Sequence, residues 1–262
     1  MTVAPIVVTR LAVRRRGADA PPTEDWVRAR VDLLRRLGWP ALRRAGTGVA
    51  WVLVVDPDRR ALAADLLDGV ELPDGSVHLA EGVGFAPVTA EMQLDGPIRP
   101  DRDAFVTLRM DSDDALLPGA IDAVVEAADG AAHGTLIDLP RGYQLDLDRR
   151  ELIEIEYRRW RQGPFLAIVH HGRSTMLDTG GEHTGARSGR EVRRVEVPAW
   201  IQGIHGHNVS NDRAAAGAVT RLGRAVRSIP RREAAAAWRD GRVVGASSAA
   251  AILGGAGLAD LA

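Results

Sequence analysis

Apolar residues form short, continuous runs in the first half of the chain, and segments with a helical period separate them. The three clearest runs are IVVTRLAV at residues 6–13, VAWVLVVD at 49–56 and AFVTLRM at 104–110. Unbroken runs rich in β-branched residues are typical of strands buried on both faces, as in a parallel sheet. The first half of the chain is therefore predicted to contribute buried, mostly parallel strands.

Segments between and after these strands have the spacing of amphipathic helices. The segment 23–37 opens with a capping threonine and acidic residues, and Gly38 and Pro40 predict that the helix ends close by. A second helix is predicted over 59–70, and a third over 118–130, with proline in its first turn. Strands that alternate with helices in this way predict an open α/β sheet.

The pattern changes after residue 130. Strand-like segments now follow one another without helices between them, which predicts hairpins; they lie at 135–140, 143–157 and 164–171. Further on, we predict a Gly- and Arg-rich loop at 172–196, an Ala/Arg-rich helix ending near Ser228, a weaker helix at 231–239 and a small-residue tail. The whole pattern predicts α/β fold class, with one domain built on an open mixed sheet flanked by helices.

Composition narrows the classes of function. The 262-residue chain has a formal net charge of −1, so it lacks the global basic field that holds nucleic acid. It contains no cysteine, which excludes thiolate catalysis and Cys-based zinc sites. No apolar run approaches the roughly 20 residues that span a bilayer, and the N-terminus has no basic segment typical of a signal peptide. We therefore expect a cytoplasmic protein, with neither nucleic acid nor a membrane as partner.

The basic residues are unusual because all 34 of them are arginine. A Schiff-base lysine and a P-loop lysine are thereby excluded. Any phosphate-binding site must use arginine, backbone N–H groups or a metal ion.

The stretch RMDSDDALLP, residues 109–118, is the strongest candidate for chemistry. It places Asp111, Asp113 and Asp114 at the end of a predicted buried strand, and Asp56 ends another. Ligands of open α/β sheets bind outside the carboxyl ends of the strands. Carboxylates in D-x-D spacing can share Mg²⁺ or Mn²⁺, which prefer oxygen ligands. The alternative interpretation is an acidic turn that caps the 118–130 helix. The flanking ALLP is predicted to be the start of the next helix.

Four stretches together resemble the GT-A glycosyltransferases and, more narrowly, the rhamnosyltransferase family. RMDSDDAL after a strand is similar to the metal-binding motif of GT-A enzymes. The other three, in order, are WVLVVDP (51–57), GPFLAIVHHGRSTML (163–177) and AWIQGIHGHNVSN (199–211). The chain departs from the family pattern at 178–196, where acceptor-site residues are expected. The resemblance implies a GT-A-like (Rossmann-like) fold in a bacterial-type enzyme.

The resemblance also implies a divalent metal cofactor, Mn²⁺ or Mg²⁺. Asp113 is the expected direct ligand, Asp111 is expected to bind the metal or the donor sugar, and Asp114 to orient either. A late histidine often completes the metal shell in such enzymes, and we favour His205 over His207. A loop histidine bonded to the backbone is the alternative for His205.

Nucleotide-binding residues are implied in the same way. Asp56 is expected to contact the base or ribose of the donor, and Arg10 is expected to lie near the base or the diphosphate. Arg109 and Asp111 complete the expected donor site. Arg10 could equally be a surface arginine, and Arg109 could simply pair with an aspartate.

An inverting transferase also needs a general base that deprotonates the acceptor hydroxyl. Glu182 is the first candidate, and His183 and Asp114 are the other catalytic candidates. For Glu182 and His183 the alternative is a solvated Gly-rich loop. The Arg-rich helix after residue 212 could contact the diphosphate or an anionic acceptor, or could be a solvated face.

We therefore expect a metal-dependent glycosyltransferase of the hexosyltransferase class. Its donor would be a dTDP-, UDP- or GDP-sugar carrying rhamnose or another hexose or deoxyhexose, and its acceptor a small molecule or glycan with a free hydroxyl. Residues 1–130 would form the nucleotide-sugar half and 131–262 the acceptor half. A sugar-phosphate nucleotidyltransferase and a non-catalytic nucleotide-sugar-binding domain are the alternatives.

Overall fold

The computed structural model describes residues 3–14, 19–46, 48–82, 104–157, 164–171, 189–205 and 242–262. In chain order its elements are β1 (Val3–Ala12), α1 (Glu24–Leu33), α2 (Trp39–Ala45), β2 (Ala50–Val55), α3 (Arg60–Leu66), β3 (Ser76–Glu81), β4 (Ala104–Arg109), β5 (Asp114–Leu116), α4 (Ala120–Ala128), β6 (Leu136–Leu139), β7 (Arg141–Asp146), β8 (Glu151–Glu156), β9 (Phe165–His170), β10 (Val192–Arg194), β11 (Trp200–Ile204), β12 (Arg242–Val243) and α5 (Ala246–Gly255).

The described strands form two sheets, of which the larger has the order β10-β6-β9-β4-β1-β2-β3. Strands β3, β2, β1 and β4 are mutually parallel, whereas β9 runs antiparallel between β4 and β6. The apolar runs of β1 and β2 are buried on both faces, as their unbroken hydrophobicity predicts. The predicted open mixed α/β sheet flanked by helices is confirmed.

A second, smaller sheet has the order β12-β8-β7-β11-β5 among the described strands. Its strand β5 consists of Asp114, Ala115 and Leu116 and pairs antiparallel with β11. The prediction that ALLP begins a helix was therefore wrong. Ala115 and Leu116 extend because β11 offers them hydrogen-bond partners, and α4 begins only after Gly119, whose φ of 77° favours glycine.

The first helix does not end near Gly38, which is a second correction. Residues 34–38 form one π-helical turn that joins α1 directly to α2. Pro40 is tolerated because it lies in the first turn of α2, where its missing N–H is not needed. The junction packs on the aspartate motif, because a Cβ on Gly38 would lie 3.3 Å from the carbonyl oxygen of Asp114.

The tail of small residues contains helix α5, which the sequence pattern did not predict. Its Leu253, followed by Ala256 and Leu258, is buried in a small apolar cluster under the second sheet. Arg44 of α2 donates to the carbonyl oxygen of Gly254 at 2.8 Å and ties the end of α5 to the body of the protein. Among the described residues, no helix is long and apolar enough to cross a membrane.

The two sheets meet at Trp200 of β11. Its ring stacks on Phe165 of β9 with 5.1 Å between ring centroids, and its indole N–H donates to the carbonyl oxygen of Leu139 at 2.8 Å. Gly142 on β7 leaves room for the ring, since a Cβ there would lie 2.2 Å from it. Both sheets contain strands from either side of residue 130, so they share one core.

Candidate active site at the aspartate motif

The aspartate motif follows β4 at the carboxyl edge of the parallel strands. The backbone N–H of Met110 donates to the carbonyl oxygen of Val8 on β1 at 3.0 Å, which fixes β4 beside β1. Arg10 of β1 consequently reaches the same edge as Arg109 of β4. This edge is where ligands of open α/β sheets bind.

The motif itself is a buried turn. The N–H of Asp114 donates to the carbonyl oxygen of Asp111 at 3.1 Å, and Ser112 is completely buried between them. Asp113 and Asp114 are only 5% and 4% exposed. The alternative of a solvated cap on the next helix does not describe them, because the N-cap residue of α4 is Gly119.

Asp113 is the centre of the site. Its Oδ2 accepts a hydrogen bond from Nη1 of Arg30 at 3.0 Å and lies 3.1 Å from Nε2 of His205. Arg30 comes from α1, whereas His205 comes from the end of β11, 92 residues further along the chain. The structure therefore brings the predicted pair Asp113 and His205 together.

Asp111 faces two other arginines. Both of its carboxylate oxygens lie 3.1 Å from Nη2 of Arg109, and Nη2 of Arg10 is 3.9 Å from its Oδ1. Burial, together with the neighbouring charge of Arg109, lowers the pKa of Arg10 to about 10. Arg10 is thus a desolvated cation at the strand edge, not an ordinary surface arginine.

Asp114 is held by the backbone of β11. The N–H of Gly203 donates to the carbonyl oxygen of Asp113 at 3.0 Å and also lies 3.3 Å from Oδ1 of Asp114. Burial raises the pKa of Asp114 well above its usual range, and the charges of Asp113 and Asp111 raise it further. A carboxyl group in this position favours its protonated form.

Asp56 is completely buried, and both of its oxygens are used within the protein. Arg14 donates to them from Nε at 2.7 Å and from Nη2 at 3.0 Å, and the N–H of Asp58 adds a bond of 3.1 Å. The hydrogen bonds from Arg14 lower the pKa of Asp56. A contact of Asp56 with a nucleotide stays a prediction, and it would require a neighbouring group to move, because Asp56 has no exposed surface.

The Asp113–His205 pair fits two neighbouring ligands of one divalent cation. Ligand bonds of about 2.1 Å at a right angle put the two donor atoms about 3 Å apart, close to the 3.1 Å between Oδ2 and Nε2. Carboxylate oxygen and imidazole nitrogen also suit Mn²⁺. Within the described residues, however, no three His, Asp or Glu side chains form a group that could hold a metal ion. Any further ligands would have to come from outside this described set of side chains.

Two of the predicted catalytic residues, Glu182 and His183, lie outside the described residues, as does His207. Arg30 is the principal residue of the site that sequence reasoning missed. The sequence did contain a signal for Arg30. It lies three residues after Val27 and four before Leu34, a spacing that places it on the buried face of the helix.

No protein-family model and no curated protein matches the chain. Solved structures match with low sequence identity. Residues 1–349 of S. aureus TarS, which also forms a crystallised complex with UDP, match with a TM-score of 0.40 and 9% identity. That match covers 78% of this chain and 60% of the TarS structure. This chain therefore spans less than two thirds of the length of the TarS structure.

Two further structures show similarity at a comparable level. The inositol-1-phosphate CTP transferase from T. maritima matches with a TM-score of 0.36 and 12% identity, covering 77% of this chain and 89% of that one. Rv0371c from Mycobacterium tuberculosis H37Rv, in complex with manganese, matches with a TM-score of 0.34 and 14% identity, covering 77% and 91%. With TM-scores below 0.5, the function has to be inferred from the chain's own residues.

Proposed function

We propose that this protein is a glycosyltransferase that transfers a sugar from a nucleoside-diphosphate donor to an acceptor hydroxyl. The observation that carries the proposal is the convergence of Asp113, His205 and Arg30 at the carboxyl edge of the parallel strands. Arg10 and Arg109 flank this point beside Asp111. Acidic and basic groups alternate there over a few ångströms, which suits a dianionic diphosphate bound together with a cation.

Asp113 and His205 are the residues that would hold the divalent cation, Mn²⁺ or Mg²⁺. When bound, such a cation supplies neutralisation of the negative charge that develops on a departing diphosphate. Arg10 and Arg109 would donate to phosphate oxygens from the other side. Asp111, held by these two arginines, would accept hydrogen bonds from hydroxyl groups of the donor ribose or sugar.

The GT-A assignment, the donor sugar and the acceptor chemistry are further parts of the proposal. The resemblance of the DSDDAL and WIQGIHGHNVSN segments supports a GT-A enzyme with rhamnose or another hexose or deoxyhexose as the transferred sugar. Glu182 or His183 would deprotonate the acceptor hydroxyl, as an inverting enzyme requires. Asp114 is buried and accepts a hydrogen bond from the backbone N–H of Gly203, so we propose that it positions the motif and that the base lies elsewhere.

Ligand-dependent stabilisation tests this function. We expect UDP-, dTDP- or GDP-sugars to raise the melting temperature of the wild-type protein in the presence of Mn²⁺, with one nucleotide class clearly preferred. A ligand at 100 times its Kd stabilises a protein by about 2.7 kcal/mol, which a thermal shift assay detects easily. Asp113→Asn should abolish the response, whereas Asp148→Asn, in the β7–β8 turn, should keep it.

Product analysis separates the alternatives. A glycosyltransferase releases a nucleoside diphosphate from the nucleotide sugar, whereas a nucleotidyltransferase releases pyrophosphate from a nucleoside triphosphate and a sugar phosphate. Binding without turnover over a panel of acceptors would favour a non-catalytic domain. The absence of any shift with every nucleotide sugar would refute the proposed function.

A further inference from the structure

Arg30 and a cation would compete for the same oxygen atom. In the free protein Nη1 of Arg30 donates to Oδ2 of Asp113, which is also the oxygen that faces His205. A divalent cation shared by Asp113 and His205 would have to bind at this oxygen. It would then lie within a few ångströms of the guanidinium group, and the two positive charges would repel each other.

This repulsion cannot be relieved by deprotonation. An arginine side chain keeps its charge at any physiological pH, so Arg30 must either move or gain an anion. The Nε atom of Arg30 is buried and has no hydrogen-bond acceptor among the described residues. The guanidinium group also packs over the ring of Trp26, with 5.2 Å between Cζ and the ring centroid. Arg30 is thus a partly buried cation, with a side chain 14% exposed and one N–H donor unused, beside the proposed donor site.

We infer that Arg30 couples the binding of the cation to the binding of the diphosphate by exchanging partners. In the free protein it neutralises Asp113, and in the complex it leaves Oδ2 to the cation and donates to a phosphate oxygen. The inference rests on the proposed function, since it requires a diphosphate ligand at this edge of the sheet. It assigns a role to a residue of α1 that lies outside the aspartate motif.

A phosphate group is the anion that best fits the exchange. Guanidinium groups donate several N–H bonds to phosphate oxygens. Arg30 has two such donors on different edges of its guanidinium group, Nη1, which now binds Asp113, and Nε, which has no acceptor. The coupling must be reciprocal: if the nucleotide tightens cation binding, the cation tightens nucleotide binding by the same factor.

The coupling can be measured by titrating Mn²⁺ and following the electron paramagnetic resonance signal of the free ion. Titrations of the full chain without nucleotide and with UDP, dTDP or GDP give the affinity for Mn²⁺ in each state. For the wild-type protein we expect weak binding of Mn²⁺ alone and an increase of about 5- to 150-fold with the preferred nucleotide.

Arg30→Met keeps an unbranched stem over Trp26 but removes the charge, and Arg30→Gln serves as a second variant. Both variants should bind Mn²⁺ alone at least about tenfold more tightly than the wild type. The factor by which the nucleotide increases the affinity for Mn²⁺ should fall towards one. The matched control is Arg28→Met. Arg28 lies on the same helix, is exposed and pairs with Glu24. The control should behave as the wild type, and Arg30→Met combined with Asp113→Asn should lose the tight site.

The outcomes distinguish this inference from the proposed function. If the wild type binds Mn²⁺ and nucleotide together but both Arg30 variants keep the wild-type affinities and coupling, the inference is overturned and the proposed function stands. If the wild type binds no nucleotide with or without Mn²⁺, the proposed function fails, and the inference fails with it. Folded variants, verified by circular dichroism, that gain no affinity for Mn²⁺ alone also overturn the inference.

Discussion

At the scale of single residues, the site depends on Gly203, which has no side chain. A Cβ at this position would lie 2.2 Å from the carbonyl oxygen of Asp113 and 3.1 Å from Cδ1 of Leu37. The first contact is impossible without movement of the backbone, and the second requires the side chain of Leu37 to shift by a few tenths of an ångström. The glycine therefore sets how closely β11 approaches the aspartate motif, and with it the position of His205 two residues later.

We predict that Gly203→Ala destabilises the protein by about 1–3 kcal/mol, the usual cost of overpacking a buried position. It should also abolish stabilisation by Mn²⁺ and nucleotide, since His205 would move away from Asp113. Urea denaturation and thermal shift with ligand measure the two effects. Gly254→Ala is the control, because a Cβ there meets no atom within 4 Å. Normal ligand stabilisation in Gly203→Ala would disprove this role of the glycine.

At the scale of elements, the sequence predicts a strand best when the residues of that strand alone form a recognisable pattern. The buried strands β1, β2 and β4 are recognisable because their apolar runs are unbroken. Strand β5 could not be predicted, because its three residues extend only through pairing with β11, almost 90 residues away. The role of Arg30 was missed for a related reason. Its place on the buried face of α1 was visible, but its partner Asp113 is 83 residues distant along the chain.

The edge strand β10 provides an example of an element held by a buried charge. Arg194 of β10 lies 3.6 Å from the carboxylate of Asp138 on β6, which is completely buried, and donates to the carbonyl oxygen of Tyr157 at 2.9 Å. Removing one partner of a buried ion pair is costly because the other charge stays in a medium of low dielectric.

We predict that Arg194→Met lowers the free energy of unfolding by about 3 kcal/mol. Asp138→Asn in the same chain should recover part of the loss, since it removes the uncompensated charge. The control is Arg242→Met on the other edge strand, β12, whose pair with Glu154 is largely exposed and is worth less than about 1 kcal/mol. Equal effects of the two arginine substitutions, measured by urea denaturation, would contradict the assignment.

At the scale of the whole molecule, the site is a product of both sheets. Arg10 and Arg109 come from parallel strands of the larger sheet, whereas His205 follows β11 of the smaller one. Sequence motifs predicted which of these segments would form the site, because acidic and histidine residues cluster in them. They could not give the pairing of β5 with β11 that joins the two sheets beside the motif, since that pairing depends on the folded chain. The site can form only when both sheets have folded.

Global stability should depend on pH through His170, which lies on β9 between β4 and β6. Its Nε2 lies 3.0 Å from Oγ1 of Thr107 inside the sheet. Burial, together with the neighbouring charges of His133, Arg190 and His171, lowers the pKa of His170 to about 3. The unfolded chain, with a histidine pKa near 6.5, binds the proton more readily. Stability from this residue is therefore complete above about pH 6.5 and is lost as the pH falls towards 3.

We predict that His170 lowers the free energy of unfolding by about 2 kcal/mol when the pH falls from 7.5 to 5, because one pKa unit corresponds to about 1.4 kcal/mol. Replacement by a side chain that does not titrate should remove this contribution. His170→Gln, which can still bond to Thr107, should therefore lose about 2 kcal/mol less than the wild type over this range, even if its stability at pH 7.5 is lower. Urea denaturation at a series of pH values measures the difference, and His171→Gln, at an exposed position, should follow the wild-type curve. Parallel curves for wild type and His170→Gln would mean that His170 is protonated equally in the folded and unfolded states, against the burial of its ring beside Thr107.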